Sequence, residues 1–188
     1  MDRHNIITLP YPNLRKPSVK VSVFGKDLLQ TINNMKQAAM DWEDNREHEV
    51  TVGLAAIQVD INLKIFIVRE DFNDKDNREF MVFINPKITK LSGKIITEHE
   101  GCLSVPGFYG MVPRHEECKI EAQDETGQSF TLKTEGFLAR IMQHETDHTK
   151  GKLYVDHISK NENAFLKLNS DGKMIKAEYK EVVAADLL

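Results

Sequence analysis

Two histidines four residues apart, with a glutamate directly after the first, end a run whose apolar residues recur at helical spacing: residues 136–148, closing on QHETDH. An α-helix carries positions i and i+4 on one face. His144 and His148 therefore continue the stripe begun by Phe137 and Ile141. That stripe has to be buried for its apolar half and kept reactive for its polar half. The chain is accordingly expected to fold around this helix, with Gly151 as its stop. Two imidazoles one turn apart can chelate one divalent ion, at about 2.0–2.1 Å each. Glu145 is offset around the helix, where it can accept a proton from a water polarised by that ion. The bland alternative is a solvated helix with two surface histidines, and the apolar flanks speak against it. Residue types alone leave the third ligand open. Downstream lie His157 and several glutamates, without the spacing of the longer HExxHxxGxxH pattern; upstream lies Cys102, in a segment bounded by Gly101 and Pro106. A thiolate suits zinc or ferrous iron. Cys118, inside a strand-like run, reads instead as a small buried hydrophobe.

The remaining pattern mixes both secondary structures. Residues up to about 23 carry Pro10, Pro12 and Pro17 and read as an extended arm. Over residues 26–42, Leu28, Ile32, Met35 and Ala39 recur at helical spacing and predict an amphipathic helix, followed by a polar loop over 43–49. Residues 64–68 and 80–84 read as strands around a charged loop at 73–78. Residues 118–122 and 130–132 flank DETGQ, a hairpin signal with Gly127 in the turn. These elements predict an α+β domain, with mixed, largely antiparallel sheets packed around the helix that carries HETDH. One catalytic domain over residues 1–160 is expected, followed by a Lys/Glu-rich tail or helix over 161–188.

Bulk composition narrows the function classes. The chain has 188 residues, 40% of them hydrophobic and 29% charged, which is enough for one packed domain. A net charge of -4 argues against a dedicated nucleic-acid binder. Two cysteines imply no disulfide framework and point to a reducing compartment. No apolar run reaches the roughly 18 residues of a spanning helix, and the first residues, MDRHNIITLP, lack the apolar core of a signal peptide. The expected location is the cytoplasm, with no membrane partner.

Three stretches together, VGLAAIQVDI at 52–61, EGCLSVPG at 100–107 and QHETDHTKG at 143–151, resemble the peptide deformylase family in content, order and spacing. The resemblance runs from about residue 9 to 158. It implies a metal-dependent hydrolase that removes the N-formyl group from the terminal methionine of newly made proteins and releases formate. On that resemblance Cys102, His144 and His148 are the metal ligands and Glu145 is the general base and then acid. Gln58, through its side-chain amide, and Leu103, through its backbone N–H, are the donors to the formyl oxygen. Val52, Phe137 and Ile141 match the slot for the methionine side chain, while Gly53, Gly101 and Tyr109 fall where the substrate backbone runs. The implied cofactor is one divalent ion, natively ferrous iron, with zinc, nickel or cobalt as substitutes. The implied partners are formylated nascent chains, with the ribosome as a further candidate. Glu100 and Arg114 match an internal ion pair beneath the metal loop and are read as scaffold.

The chain departs from the family at three places. Thr51 stands where many members carry the first Gly of GxGLAA, so that a Cβ narrows the substrate groove or stiffens the loop. Ile57 replaces a frequent Pro or Thr, and Thr149 replaces the usual Leu after the second histidine. Two other readings compete: a different metalloamidase on the same site, which predicts a third ligand other than Cys102, and a catalytically impaired peptide-binding paralogue, which predicts loss of Glu145 or Gln58.

Overall fold

The computed structural model describes residues 6–46, 50–74 and 76–188. The extreme amino terminus, the end of the expected 43–49 loop and Lys75 in the expected 73–78 loop lie outside the described residues. Helix α1 (Lys26–Asp44) buries Leu28, Ile32, Met35 and Ala39, the stripe its spacing predicts. It runs two residues beyond that expectation. The extra half-turn carries Glu43 into the interior, where it meets Arg69, so a tertiary ion pair overrides the loop signal of a charged stretch.

Among the described residues, seven strands form one sheet whose pairings are all antiparallel: β1 (Gly53–Ala55), β2 (Ile65–Arg69), β3 (Phe80–Gly101), β4 (Phe108–Gln123), β5 (Ser129–Glu135), β6 (Phe165–Leu168) and β7 (Met174–Lys176). Strand β2 is buried at every position, so its two faces feed two cores. Ile65 and Ile67 pack with α1, whereas Phe66 and Val68 pack beside Ile141 and Met142 of α2 (Gly136–His148). Phe66 and Phe83 are cross-strand partners whose rings stack at 4.8 Å. The HETDH helix thus lies on one side of the sheet and α1 on the other.

Strand β3 is far longer than the expected 80–84. Pro86 and Gly93 interrupt its sequence signal, and register shifts near both absorb the interruption without ending the strand. The predicted hairpin is present, with Gly127 in the left-handed region at φ +88°. The arm before residue 23 is not wholly extended: Pro12–Arg15 forms a 3-10 turn whose Leu14 is fully buried. The stop at Gly151 has two causes, a φ of +70° and the Arg15 carbonyl, which a Cβ would strike.

After α3 (Tyr154–Ile158), the chain returns to the sheet. Strand β6 pairs with the start of β4, Phe108 opposite Lys167 and Tyr109 opposite Leu166, and β7 pairs with β6. Helix α4 (Tyr179–Ala184) follows, and Phe165, Ala177, Val182 and Leu187 are buried with Tyr154 and Ile158. No helix among the described residues is long and apolar enough to cross a membrane.

Candidate active site

Helix α2 and the turn after β3 bring three soft and borderline donors together. His144 and His148 face each other Nε2 to Nε2 at 3.2 Å, and Cys102 Sγ lies 3.3 Å from His148 Nε2. All three donor atoms fall within 4.8 Å of one another. Tetrahedral ligands around one small ion, at ordinary Zn–N and Zn–S lengths, stand roughly 3.3–3.6 Å apart. The donor set therefore fits a single divalent ion. Cys102 is held by a turn in which the Val105 N–H donates to its carbonyl at 2.9 Å.

The ring orientations suit the same role. His144 Nδ1 lies 3.0 Å from Glu100 Oε2, and a carboxylate only accepts. In the neutral ring that metal binding requires, the Nδ1–H therefore donates outward, leaving the Nε2 lone pair toward Cys102 and His148. Burial pulls His144 toward neutrality, but the side chains of Cys102 and Glu100 outweigh it and raise its pKa. His148 is pushed well below the usual histidine range by burial and then by the His144 charge. Beneath the helix, burial raises the Glu100 carboxyl, yet hydrogen bonds from His144 and Arg114 hold it well below the carboxylate range. Arg114 grips Glu100 with two bonds, Nε to Oε1 at 2.9 Å and Nη2 to Oε2 at 3.0 Å. Arg140 adds a third at 2.8 Å, and Arg114 also bonds Asp147, which His157 reaches at 2.7 Å. The expected Glu100–Arg114 pair exists, and it is more than scaffold because its carboxylate also touches His144.

Glu145 points to the side of the donors rather than among them. It is 4% exposed, and its Oε2 has no hydrogen-bond partner. Burial first, then the Glu100 charge, pushes its pKa up to about 7 against the pull of His144. Gly53 packs against it so closely that a Cβ would stand 2.5 Å from Oε1. That is a second, nearer reason for glycine at a position expected to serve an incoming peptide. Gln58 is fixed at both ends: its Oε1 accepts from the Ala55 N–H at 2.9 Å, and its Nε2 donates to Ser104 Oγ at 3.1 Å. The amide nitrogen thereby faces Cys102, 3.5 Å from Sγ.

A cavity of about 900 Å³ opens onto this constellation. Val52, Gly53, Gln58, Gly101, Cys102, Leu103, Tyr109, Phe137, Ile141, His144 and Glu145 all line it, so the residues singled out in sequence converge on one space. His148 lies behind them, fully buried. Phe137 is 49% exposed and forms part of an open rim against Phe72, while Ile141 is buried below. Cys118 stays in the core, its thiol pushed up to about 11 by burial. Thr149 turns its hydroxyl back to the Thr146 carbonyl at 2.8 Å and caps the helix end. Thr51 faces inward, not into the groove.

Several lining residues had no sequence signal. Trp42 and Arg46 of the α1 end, stacked at 4.1 Å, form the far wall, and Leu168 of the tail forms another. Ser104 was inside the EGCLSVPG motif, yet only the fold shows that it orients Gln58.

Residues 3–164 match the family model described as Polypeptide deformylase. A curated peptide deformylase from Hahella chejuensis is 42% identical over 159 residues, 85% of this chain and 89% of that protein. Among solved structures, a peptide deformylase from Legionella pneumophila superposes with a TM-score of 0.72 at 38% identity, covering 81% of this chain and 84% of that one. One from Synechococcus elongatus, in complex with actinonin, gives 0.71 at 36%, covering 81% and 79%.

Proposed function

The chain belongs to the polypeptide deformylase family, hydrolases that remove the N-formyl group from nascent peptides, and on that premise we propose how its residues do so. Cys102, His144 and His148 hold one divalent ion, natively ferrous iron. When bound, the ion supplies Lewis acidity, which lowers the pKa of water toward about 7 and polarises a carbonyl oxygen. Glu145 takes the proton of the attacking water at its unpartnered Oε2. As the C–N bond breaks, it returns that proton to the leaving amine nitrogen, freeing formate and a new amino terminus.

Gln58 and Leu103 receive the charge that develops on the formyl oxygen. Gln58 has one Nε2 hydrogen committed to Ser104, and its second, which reaches Cys102 Sγ at 3.5 Å, is the one that turns to that oxygen, with the side chain already held by Ser104 and Ala55. Val52, Phe137 and Ile141 take the methionine side chain, and Gly53, Gly101 and Tyr109 accompany the peptide backbone. A Cβ at Gly101 would lie 2.8 Å from the Tyr109 ring, which accounts for glycine there. The reaction is assigned to the cytoplasm, with formylated nascent chains as substrate and the ribosome as the place of encounter.

The observation that carries this reading is the buried Glu145 carboxylate, its Oε2 unpartnered, beside three converging metal donors, two of which line one peptide-sized cavity with His148 directly behind them. An impaired paralogue is not favoured, since Glu145 and Gln58 are both present and aimed into the cavity. The test is turnover of formyl-Met-Ala-Ser by nickel-loaded protein, followed as release of the free amino terminus. Glu145→Gln is expected to keep its metal and lose at least 100-fold in kcat, the lower range for a general acid–base. Near-normal turnover in that variant would assign the proton transfer to another group.

A further inference from the structure

Behind the groove wall formed by residues 50–53 lies a polar cluster that the reaction does not use. Glu43, Thr51 and Arg69 are 2%, 1% and 1% exposed. Glu43 Oε2 accepts from the Thr51 N–H at 2.9 Å and also pairs with the Arg69 guanidinium. Arg69 Nε donates to the Thr51 carbonyl at 3.2 Å, and its Nη1 donates to the Asn77 carbonyl at 2.7 Å. The Thr51 hydroxyl donates to the Ala39 carbonyl of α1 at 3.0 Å. One residue's N–H, carbonyl and hydroxyl are thus all anchored, to a helix on one side and a strand end on the other.

The geometry assigns Thr51, Glu43 and Arg69 as positioning residues that clamp the wall bearing Val50 and Val52 against the substrate groove. Both neighbours of Thr51 line the cavity, as do Trp42 and Arg46 flanking Glu43 on α1 and the loop after it. Thr51 itself points away from them, so it acts by holding its neighbours. A glycine here keeps the N–H and carbonyl bonds but has no hydroxyl to reach α1, and it is freer to leave the conformation. Threonine therefore fits a groove wall held in place before substrate arrives, which lowers the ordering cost of binding an extended peptide. Gly53 is secured separately by its pairing with Val68, so the approach of Glu145 does not depend on the clamp.

This inference rests on the deformylase reading for its substrate, and the test separates the two. Thr51→Val keeps the shape of the side chain and removes only the hydroxyl's bond to the Ala39 carbonyl of α1, leaving the N–H bond to Glu43. In this variant, KM for formyl-Met-Ala-Ser is expected to rise roughly fivefold with kcat within about twofold, the equivalent of one ordinary hydrogen bond. Amide hydrogen exchange of residues 50–52, measured by mass spectrometry on metal-loaded protein, is expected to quicken by a similar factor while α2 stays unchanged. Thr51→Ser, which restores the hydroxyl, should return both readouts toward wild type. Unchanged exchange in Thr51→Val overturns the clamp whatever the activity. Faster exchange with unaltered KM overturns its role in positioning. Wild-type protein that fails to turn over the peptide counts against the deformylase reading alone, and exchange then decides the clamp.

Discussion

Two buried arginine clusters flank the cavity, and they are built differently. Under α2, Arg114 and Arg140 converge on Glu100, with Asp147, His157 and Glu98 extending a network that touches the His144 ring. Behind the opposite wall, among the described residues, Arg69 meets the Glu43 carboxylate and donates to the Thr51 and Asn77 backbone carbonyls. The first cluster orients a candidate metal-donor ring, so its charge reaches the cavity. The second holds main chain on both sides of Thr51, so what it transmits to the groove wall is position. Buried charge can thus serve either electrostatics or shape, and its partners show which.

The comparison breaks most readily at Glu100. Glu100→Ala removes the buried carboxylate that Arg114 and Arg140 share, leaving them Asp147 and the exposed Glu98, and frees His144 Nδ1, so up to about 3–5 kcal/mol of stability should be lost. Metal affinity should also fall by about 10–100-fold. Denaturant unfolding and a metal titration, each on purified variant, check the two effects; intact affinity would separate Glu100 from the metal donors. Arg69→Met should approach the same loss of stability, about 3–5 kcal/mol, because Glu43 is left buried and unpaired. Its metal affinity should match wild type. A metal deficit in a still-folded Arg69→Met would mean the two clusters are coupled through the sheet.

The smallest expected effect sharpens the contrast between the two cysteines. The Cys118 thiol is raised from 9.0 to about 11 by burial, so its neutral form stabilises the fold fully below pH 9. That contribution is lost as pH rises from 9 through 11, because the unfolded chain ionises first. Cys118→Ala should therefore show a shallower decline in Tm over that window than wild type. An identical slope would show that the thiol is not what titrates.

Much of this molecule is legible locally. The stripe Leu28, Ile32, Met35, Ala39, the turn at Gly127 and the span of α2 from Gly136 to its stop at Gly151 all follow from short-range periodicity and from backbone conformations that only certain residues adopt. The candidate site was legible for a related reason. His144, Glu145 and His148 share one helix, and the motifs around Gln58 and Cys102 carry the donors as compact strings.

Sequence by itself therefore determined the groups on offer: which candidate metal donors, which buried acid and which amide this chain brings to one cavity. Only the tertiary structure decided their surroundings. It extended β3 through Pro86 and Gly93 because pairing with β4 outweighs local strand-breaking signals. It returned Phe165 to the sheet and set Leu168 on the cavity rim. It joined Glu43 to Arg69 across 26 positions and Glu100 to His144 across 44. Such pairs leave no periodic trace, because each of their bonds is made between segments that meet only when the hydrophobic layers close and water is gone.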